Sequence, residues 1–389
     1  MPADYDVLVV GAGPAGSAAA ERMAEAGFRV GLLEEHEEVG VPVNCSGIIG
    51  VEAFDRFQIP QELVRHSLRR VSFHSPSGLR WGFAADEVLA HTVVRSELDQ
   101  FLARRACSAG AELLLSHRVS SIVVDETGAE LTVDIARSEE DTERTRLRAR
   151  AVILATGAGI PLLRKMGFHR LPQWVLGVQS EVAMSVEEVE VYLGRKWAPE
   201  GFAWVIPLGE HRAKVGLLCQ SDGPQTLRRF VSRPDIAGRL AGDMGSIACS
   251  ILPLGFLPKS YSDRVLVVGE AAGHIKATTC GGIYYGMLTA GLAAEVLADA
   301  LHRGQLDERS LSRYERRWRE LLEEEIRLGL RLRQGARRAG DWGIDRLMSL
   351  ARREGITRLI QDKANFDWHR DLIHAVLQHA TVGRILGVA

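Results

Sequence analysis

Two short stretches concentrate the side chains able to do chemistry. The run GEAAGHIKATTCGGIYYGM, Gly269 to Met287, holds a carboxylate (Glu270), an imidazole (His274), a thiol (Cys280) and two phenols (Tyr284, Tyr285) on a glycine-rich backbone. The run VPVNCSGII, Val41 to Ile49, adds a second thiol, Cys45, between Pro42 and Gly47. Thiols and phenols can hand on protons or attack electrophiles, and His274 can either relay a proton or simply bond the backbone. None of these groups stands in metal-ligand spacing. Cys45, Cys107, Cys219, Cys249 and Cys280 form no CxxC pair and no HExxH or HxxxH occurs, so no metal is expected. No GxSxG points to a hydrolase. Gly281 and Gly282 leave the main chain bare, which suits close contact with a flat ligand.

A ligand of that kind needs a cradle, and the amino-terminal run YDVLVVGAGPAGSAAAERMAEAGFRVGLLEEH supplies one. Tyr5–Val10 reads as a buried strand, and Gly11-Ala12-Gly13-Pro14-Ala15-Gly16 matches GxGxxG. Ser17 to Ala26 reads as a helix stopped by Gly27, and Phe28–Leu33 as a second strand ending at Glu34. Gly11 permits the tight turn, Gly13 lets backbone approach a pyrophosphate, and Gly16 lets the helix pack close to the strand. The helix start offers unpaired N–H groups and a positive dipole end to phosphate. Glu34 is placed to accept hydrogen bonds from ribose hydroxyls and disfavours a 2′-phosphate. Strand, glycines, helix, strand and acid in this order predict a bound nucleotide.

Two further stretches select FAD. ARAVILATGAG carries an apolar strand, Ala151–Ala155, ending in Ala-Thr-Gly; SDRVLVVGEAAG, Ser262–Gly273, is another, ending in Gly-Glu. With HTVVRSELDQFL, His91–Leu102, this order resembles the flavoprotein family that includes p-hydroxybenzoate hydroxylase. That resemblance implies that Glu270 meets the ribityl chain of FAD, where the family usually has aspartate, and that Arg95 lies close to the cofactor. GHIKATTCGGIYYGM closely resembles the loop of geranylgeranyl reductases. VPVNCSGII is similar to their cysteine loop, and EVYLGRKWAPEGFAWVIPLG, Glu190–Gly209, to their substrate-domain motif. Within that motif Phe202, Ile206 and Leu208 depart from the family's wording, as do Ala277 and Cys280 in the loop.

The resemblance implies an α/β protein: a Rossmann-like FAD-binding domain, an inserted antiparallel-sheet substrate domain and a C-terminal helical segment. The expected layout is residues 1–70, 91–159 and 262–306 for FAD, 71–90 and 160–261 for substrate, and 307–389 for the helical region. It implies cofactor contacts from Gly11, Gly13, Pro14, Ala15, Gly16, Glu34 and Glu35 in the cradle and from Cys45, Ser46 and Gly47 in the cysteine loop. Arg95, Val119, Ala155, Thr156 and Gly157 follow, with Gly269, Glu270, Gly281, Gly282 and Ile283 at the glycine loop. The helix expected over Ile283–Leu301 would turn its positive end to the flavin. Cys45, Trp204 and Tyr284 are the expected catalytic residues, with Phe202, Ile206 and Pro207 lining the substrate pocket. A Cys45–Cys280 redox pair is a further expectation to test.

The implied reaction is saturation of C=C bonds in a prenyl chain of a lipid, quinone or pigment precursor. An isolated alkene resists hydride, so the expected route is protonation to a tertiary cation with hydride from flavin N5. Cys45, Tyr284 or a water supplies the proton. Electrons must arrive from an external donor, NAD(P)H or a ferredoxin-like carrier, because no second nucleotide motif or iron–sulfur spacing is present. The alternative is a flavin-dependent monooxygenase or halogenase, since GFAWVIP is one letter from WxWxIP; a non-enzymatic electron-transfer flavoprotein is a third class.

Composition sets outer bounds. The chain of 389 residues is 46% hydrophobic and 25% charged with a net charge of −2, which gives no field for nucleic acid. With no disulfide framework, signal segment or spanning run in the sequence, a cytoplasmic protein is expected. Ile326–Gly340 carries Arg327, Arg331, Arg333, Arg337 and Arg338 with no acid, a basic helical stretch expected either to be solvated or to touch a membrane surface.

Overall fold

The computed structural model describes residues 3–378, apart from 139–140, 169–170, 172, 200, 210 and 353, together with residue 382. Tyr5–Val10 is apolar at nearly every position because it is buried on both faces of a parallel sheet. Thr142–Leu154 and Val30–Leu33 flank it in parallel; Val265–Val267 and Glu112–Leu114 extend the two sides. Ala129–Ala136 and His117–Val124 add an antiparallel branch on Thr142–Leu154. The helices Pro14–Glu25, Arg95–Ser108 and Ile283–Arg303 pack together in the main core.

A second sheet has seven strands, in the order Ile247–Leu254, Gln173–Ala183, Arg212–Cys219, Phe202–Pro207, Val189–Leu193, Arg70–His74, Arg80–Ala84. Its alternation puts Ala203 and Val205 into one core and Trp204 and Ile206 into another. One pairing departs from the expected antiparallel pattern: Val189–Leu193 runs parallel to Arg70–His74. The two strands come from distant parts of the chain, so no hairpin sets their direction. A small third sheet joins Ile48–Gly50, Ala90–Val93 and Val64–Leu68.

Several boundaries differ from the sequence reading. The first helix starts at Pro14, since proline suits a first turn whose N–H would be unpaired anyway. The stretch Ser262–Gly273 is not one strand: only Val265–Val267 pairs deeply, and Gly269–Ala272 forms a 3₁₀ turn. The basic helical stretch Ile326–Gly340 is part of a longer helix, which runs from Glu308 to Ala351 with a break at Gly340, whose φ is 61°. Asp307 caps it by accepting from Ser310 N at 3.1 Å. Its buried Tyr314 donates to Val267 O at 2.8 Å and Trp318 to Ser260 Oγ at 2.8 Å, which tie the helix to the parallel sheet. Each of these bonds contributes about 1 kcal/mol beside the burial of the rings. Among the described residues no helix is long and apolar enough to cross a membrane.

Candidate active site

The cradle has the geometry of a phosphate site. A Cβ on Gly11 would lie 2.5 Å from Ala155 O, and one on Gly16 would lie 1.8 Å from Gly11 O, so helix, loop and neighbouring strand meet at backbone distance. Gly13, by contrast, would meet nothing within 4 Å: its open side faces the cavity. The helix after it has no side-chain cap and no acid in its first turn, so its N–H groups remain available to an anion. Glu34 accepts from Ala12 N at 3.0 Å and meets His36 Nδ1 at 2.6 Å, which fixes its carboxylate at the rim.

The cysteine loop is held from two sides. Lys214, on a strand of the second sheet, donates to Cys45 O at 2.9 Å. Burial lowers the Lys214 pKa, with Cys45 and Glu181 opposing that shift. Arg95 opens the helix Arg95–Ser108, reaches the Cys45 thiol, and forks onto Asp99 at 3.1 and 2.7 Å. Burial works against the Arg95 charge, but Asp99 and Cys45 together raise its pKa, so the guanidinium stays charged. Two basic side chains therefore flank the cysteine loop, Lys214 at the Cys45 carbonyl and Arg95 beside the thiol. A Cβ on Gly47 would lie 2.4 Å from Val93 O, which is why the turn after Cys45 needs glycine.

The glycine loop is compact. Cys280 N donates to Lys276 O at 2.8 Å and Lys276 N to Gly281 O at 2.9 Å. Cys280 adopts a left-handed φ of 60°, and burial pushes its thiol up to about 11 despite nearby Arg333. Gly282 starts the helix Ile283–Arg303 without a side-chain cap, leaving its first N–H groups facing the cavity. Burial pushes the partly buried Glu270 up to about 7, with Arg95 opposing. Burial, then Glu52, raises the Tyr284 phenol, whose hydroxyl donates to Glu52.

All these elements face one cavity of about 1600 Å³. Beyond the glycine loop its walls turn apolar, all from the second sheet: Phe202, Trp204 and Ile206 from Phe202–Pro207, and Phe73, Trp81 and Phe83 from Arg70–His74 and Arg80–Ala84. Leu332, Ile344 and Ile373 of the C-terminal helices close the far side. The Trp204 indole lies flat over Gly216, where a Cβ would come within 2.3 Å of the ring. Its Nε1 is buried with no hydrogen-bond partner among the described residues.

Of the residues expected from sequence, Gly11, Gly13, Pro14, Ala15, Glu34, Glu35, Cys45, Ser46 and Arg95 line this cavity. So do Val119, Ala155, Thr156, Gly157, Gly269, Glu270, Gly281, Gly282, Ile283 and Tyr284. Gly16, Gly47 and Pro207 stand behind its wall. His274 also lies outside it, buried against Trp318 with Nδ1 3.0 Å from Thr289 Oγ1; burial pushes it down to about 3, so it is neutral and no relay. Cys45 and Cys280 are both free thiols on the same cavity. The five arginines do not share one face: Arg327 pairs with Glu323, while Arg333 and Arg337 line the cavity. Sequence reasoning missed Lys214 and the segment Ala364–His369, whose Asn365, Phe366, Asp367 and His369 complete the wall. The signal that could have found the segment is the run KANFDWHRDLI, Lys363 to Ile373, which resembles the tail of the same reductases.

A dinucleotide cradle opening onto an apolar cavity defines a flavoprotein oxidoreductase. A family profile described as lycopene cyclase protein matches residues 6–337. Digeranylgeranylglycerophospholipid reductase 2 of Methanothermobacter thermautotrophicus is 32% identical over 88% of this chain and 91% of its own. Digeranylgeranylglycerophospholipid reductase of Methanocaldococcus jannaschii is 32% identical over 88% of this chain and 89% of its own. The chain belongs to the geranylgeranyl reductase family. The crystal structure of a geranylgeranyl bacteriochlorophyll reductase-like protein from Thermoplasma acidophilum shares the fold, with a TM-score of 0.86 at 20% identity over 99% of both chains. A myxobacterial FAD-dependent chondrochloren halogenase is more distant, with a TM-score of 0.68 at 20% identity over 98% of this chain and 97% of its own, and shares the fold alone.

Proposed function

We propose that the chain binds FAD and saturates C=C bonds in the prenyl chain of a lipid, of the geranylgeranyl type that its relatives' names describe. The observation that carries this reading is the continuity of the cavity: it runs from the Gly11–Gly16 cradle, past Cys45 and Gly281–Ile283, into an apolar space of a size beyond one small ligand. Residues 1–70, 91–159 and 262–306 are assigned to the cofactor, 71–90 and 160–261 to the substrate, and 307–389 to closing the cavity. When bound, FAD would supply hydride at N5.

The chain's own residues do the rest. The cradle N–H groups and Gly13 hold pyrophosphate, and Glu34 orients the ribose. Trp204, Phe202 and Ile206 exclude water and lay the alkene along the wall. Tyr284 directs its proton to Glu52, which does not line the cavity, so Cys45 is the side chain assigned to hold a proton at its Sγ for the substrate. Reducing equivalents come from an external carrier, NAD(P)H or ferredoxin-like. The test is to reduce the bound flavin without oxygen and add a geranylgeranyl lipid. Reoxidation with a gain of about two hydrogens per double bond is expected. Reoxidation only with oxygen, giving hydroxylated or halogenated product, would overturn the reading.

A further inference from the structure

Lys276 is an unusual residue for the wall of an apolar cavity. Its side chain is 5% exposed, and its Nζ donates to Asp367 Oδ1 at 2.8 Å and to Phe366 O at 3.0 Å. Asp367, only 2% exposed, lies 91 residues away on the connection between the helices Glu354–Lys363 and Arg370–Gln378. A Cβ on Gly281 would lie 3.1 Å from Lys276 Cε and 3.6 Å from Nζ, so the ammonium abuts the glycine pair that opens the helix Ile283–Arg303. Two charges of opposite sign thus sit, desolvated, at the positive end of that helix.

The surroundings hold the pair in place. Tyr285 donates its hydroxyl to Asp367 O at 2.8 Å, and Thr278 Oγ1 meets His369 Nδ1 at 2.6 Å. Glu325, 6% exposed, accepts from His369 N and Arg370 N at 3.1 and 3.0 Å, capping the helix Arg370–Gln378. Asn365 accepts from Asp367 N and Trp368 N at 2.8 and 3.0 Å, which shapes the turn that presents Asp367. A Cβ on Gly50 would lie 2.0 Å from Asp367 Oδ2, so no larger residue at 50 leaves room for this carboxylate.

We infer that Asp367 and Lys276 act as a pair of positioning residues that set the reduction potential of the flavin bound at this helix end, Asp367 by neutralising the Lys276 charge beside Gly281. The inference rests on the FAD reading above. A positive charge near the helix start favours the reduced, more negative flavin, and a negative charge opposes it; in a cavity of low dielectric the effect reaches the flavin without contact. Asp367→Asn unmasks the lysine and raises the potential. Lys276→Gln leaves the carboxylate and lowers it. The double variant returns close to the wild-type value, and Lys276→Arg keeps it. The expected change is on the order of tenfold in the oxidised-to-reduced equilibrium, or about 30 mV for a two-electron couple.

The experiment is a midpoint-potential measurement of the FAD-loaded full-length protein and its variants against reference dyes, with FAD stoichiometry recorded for each. The two single variants test the inference from opposite sides, so either one alone decides it if the other fails to fold. Opposite shifts that cancel in the double variant support it. A stoichiometrically loaded single variant with the wild-type potential overturns it. Wild-type protein that takes up no FAD refutes the cofactor reading instead, so the two failures are distinct.

Discussion

Glu270 offers a sharp pH test of the site. Burial pushes it from 4.5 up to about 7 in the ligand-free protein. A carboxyl whose pKa is higher in the folded than in the unfolded state contributes its full stability below about 4.5. It loses that contribution as pH rises through about 7, because only the unfolded chain ionises freely in between. At about 1.36 kcal/mol per unit, the difference reaches about 3 kcal/mol above pH 7. Glu270→Gln should therefore leave stability unchanged near pH 4.5 and raise it by up to about 3 kcal/mol at pH 8, measured by denaturant or thermal unfolding. Binding should run the other way. If ribityl hydroxyls donate to the carboxylate, FAD binding releases a proton, and Kd falls about tenfold between pH 6 and pH 8. In Glu270→Gln that slope disappears. Titrating apoprotein with FAD, followed by quenching of flavin fluorescence, measures both. A wild-type affinity that does not change with pH, or a Gln variant that keeps the slope, would refute the reasoning.

Other substitutions separate folding from binding. Gly13→Ala meets no atom within 4 Å, so it should keep the apoprotein's Tm while weakening FAD by about tenfold or more, whereas Gly16→Ala clashes with Gly11 O and should lower both. Trp204→Ala should cost about 3 kcal/mol on unfolding and raise KM for a prenyl substrate, and Gly216→Ala, which displaces the same indole, should raise KM with a smaller loss of stability. His274→Asn removes the bond to Thr289 and should lower stability by about 1–3 kcal/mol, yet the pH–rate profile between about pH 5 and 8 should not move, since the imidazole is already neutral there. A shifted profile would restore His274 as a relay.

The cradle was legible in the sequence because each of its parts is local. The strand Tyr5–Val10, the turn at Gly11 and the helix after Gly13 need only their own neighbours, and spacing alone specifies them. Family-like wording pointed to Cys45, Trp204 and the Gly281–Gly282 pair, and all four line one cavity. The same reasoning blurred where local propensity met a distant partner. The chain at Ser262–Gly273 turns because Val265–Val267 has only a short stretch of Thr142–Leu154 to pair with. The arginines after Ile326 read as one basic stretch, yet helical spacing sends Arg333 and Arg337 toward the cavity and Arg327 to Glu323.

Tertiary structure decided the contacts that no spacing encodes. Lys214 reaches the Cys45 carbonyl across 169 residues, and Lys276 reaches Asp367 across 91. Each lysine carries an ordinary surface residue's identity in the sequence and becomes a buried charge only when a remote segment docks over it. A buried charge persists only beside an opposite charge or a hydrogen-bond acceptor. Sequence therefore determined the nucleotide cradle, the family and the charges Glu34, Arg95 and Glu270 on the cavity, and packing alone brought Lys214 to the Cys45 carbonyl and Lys276 to Asp367.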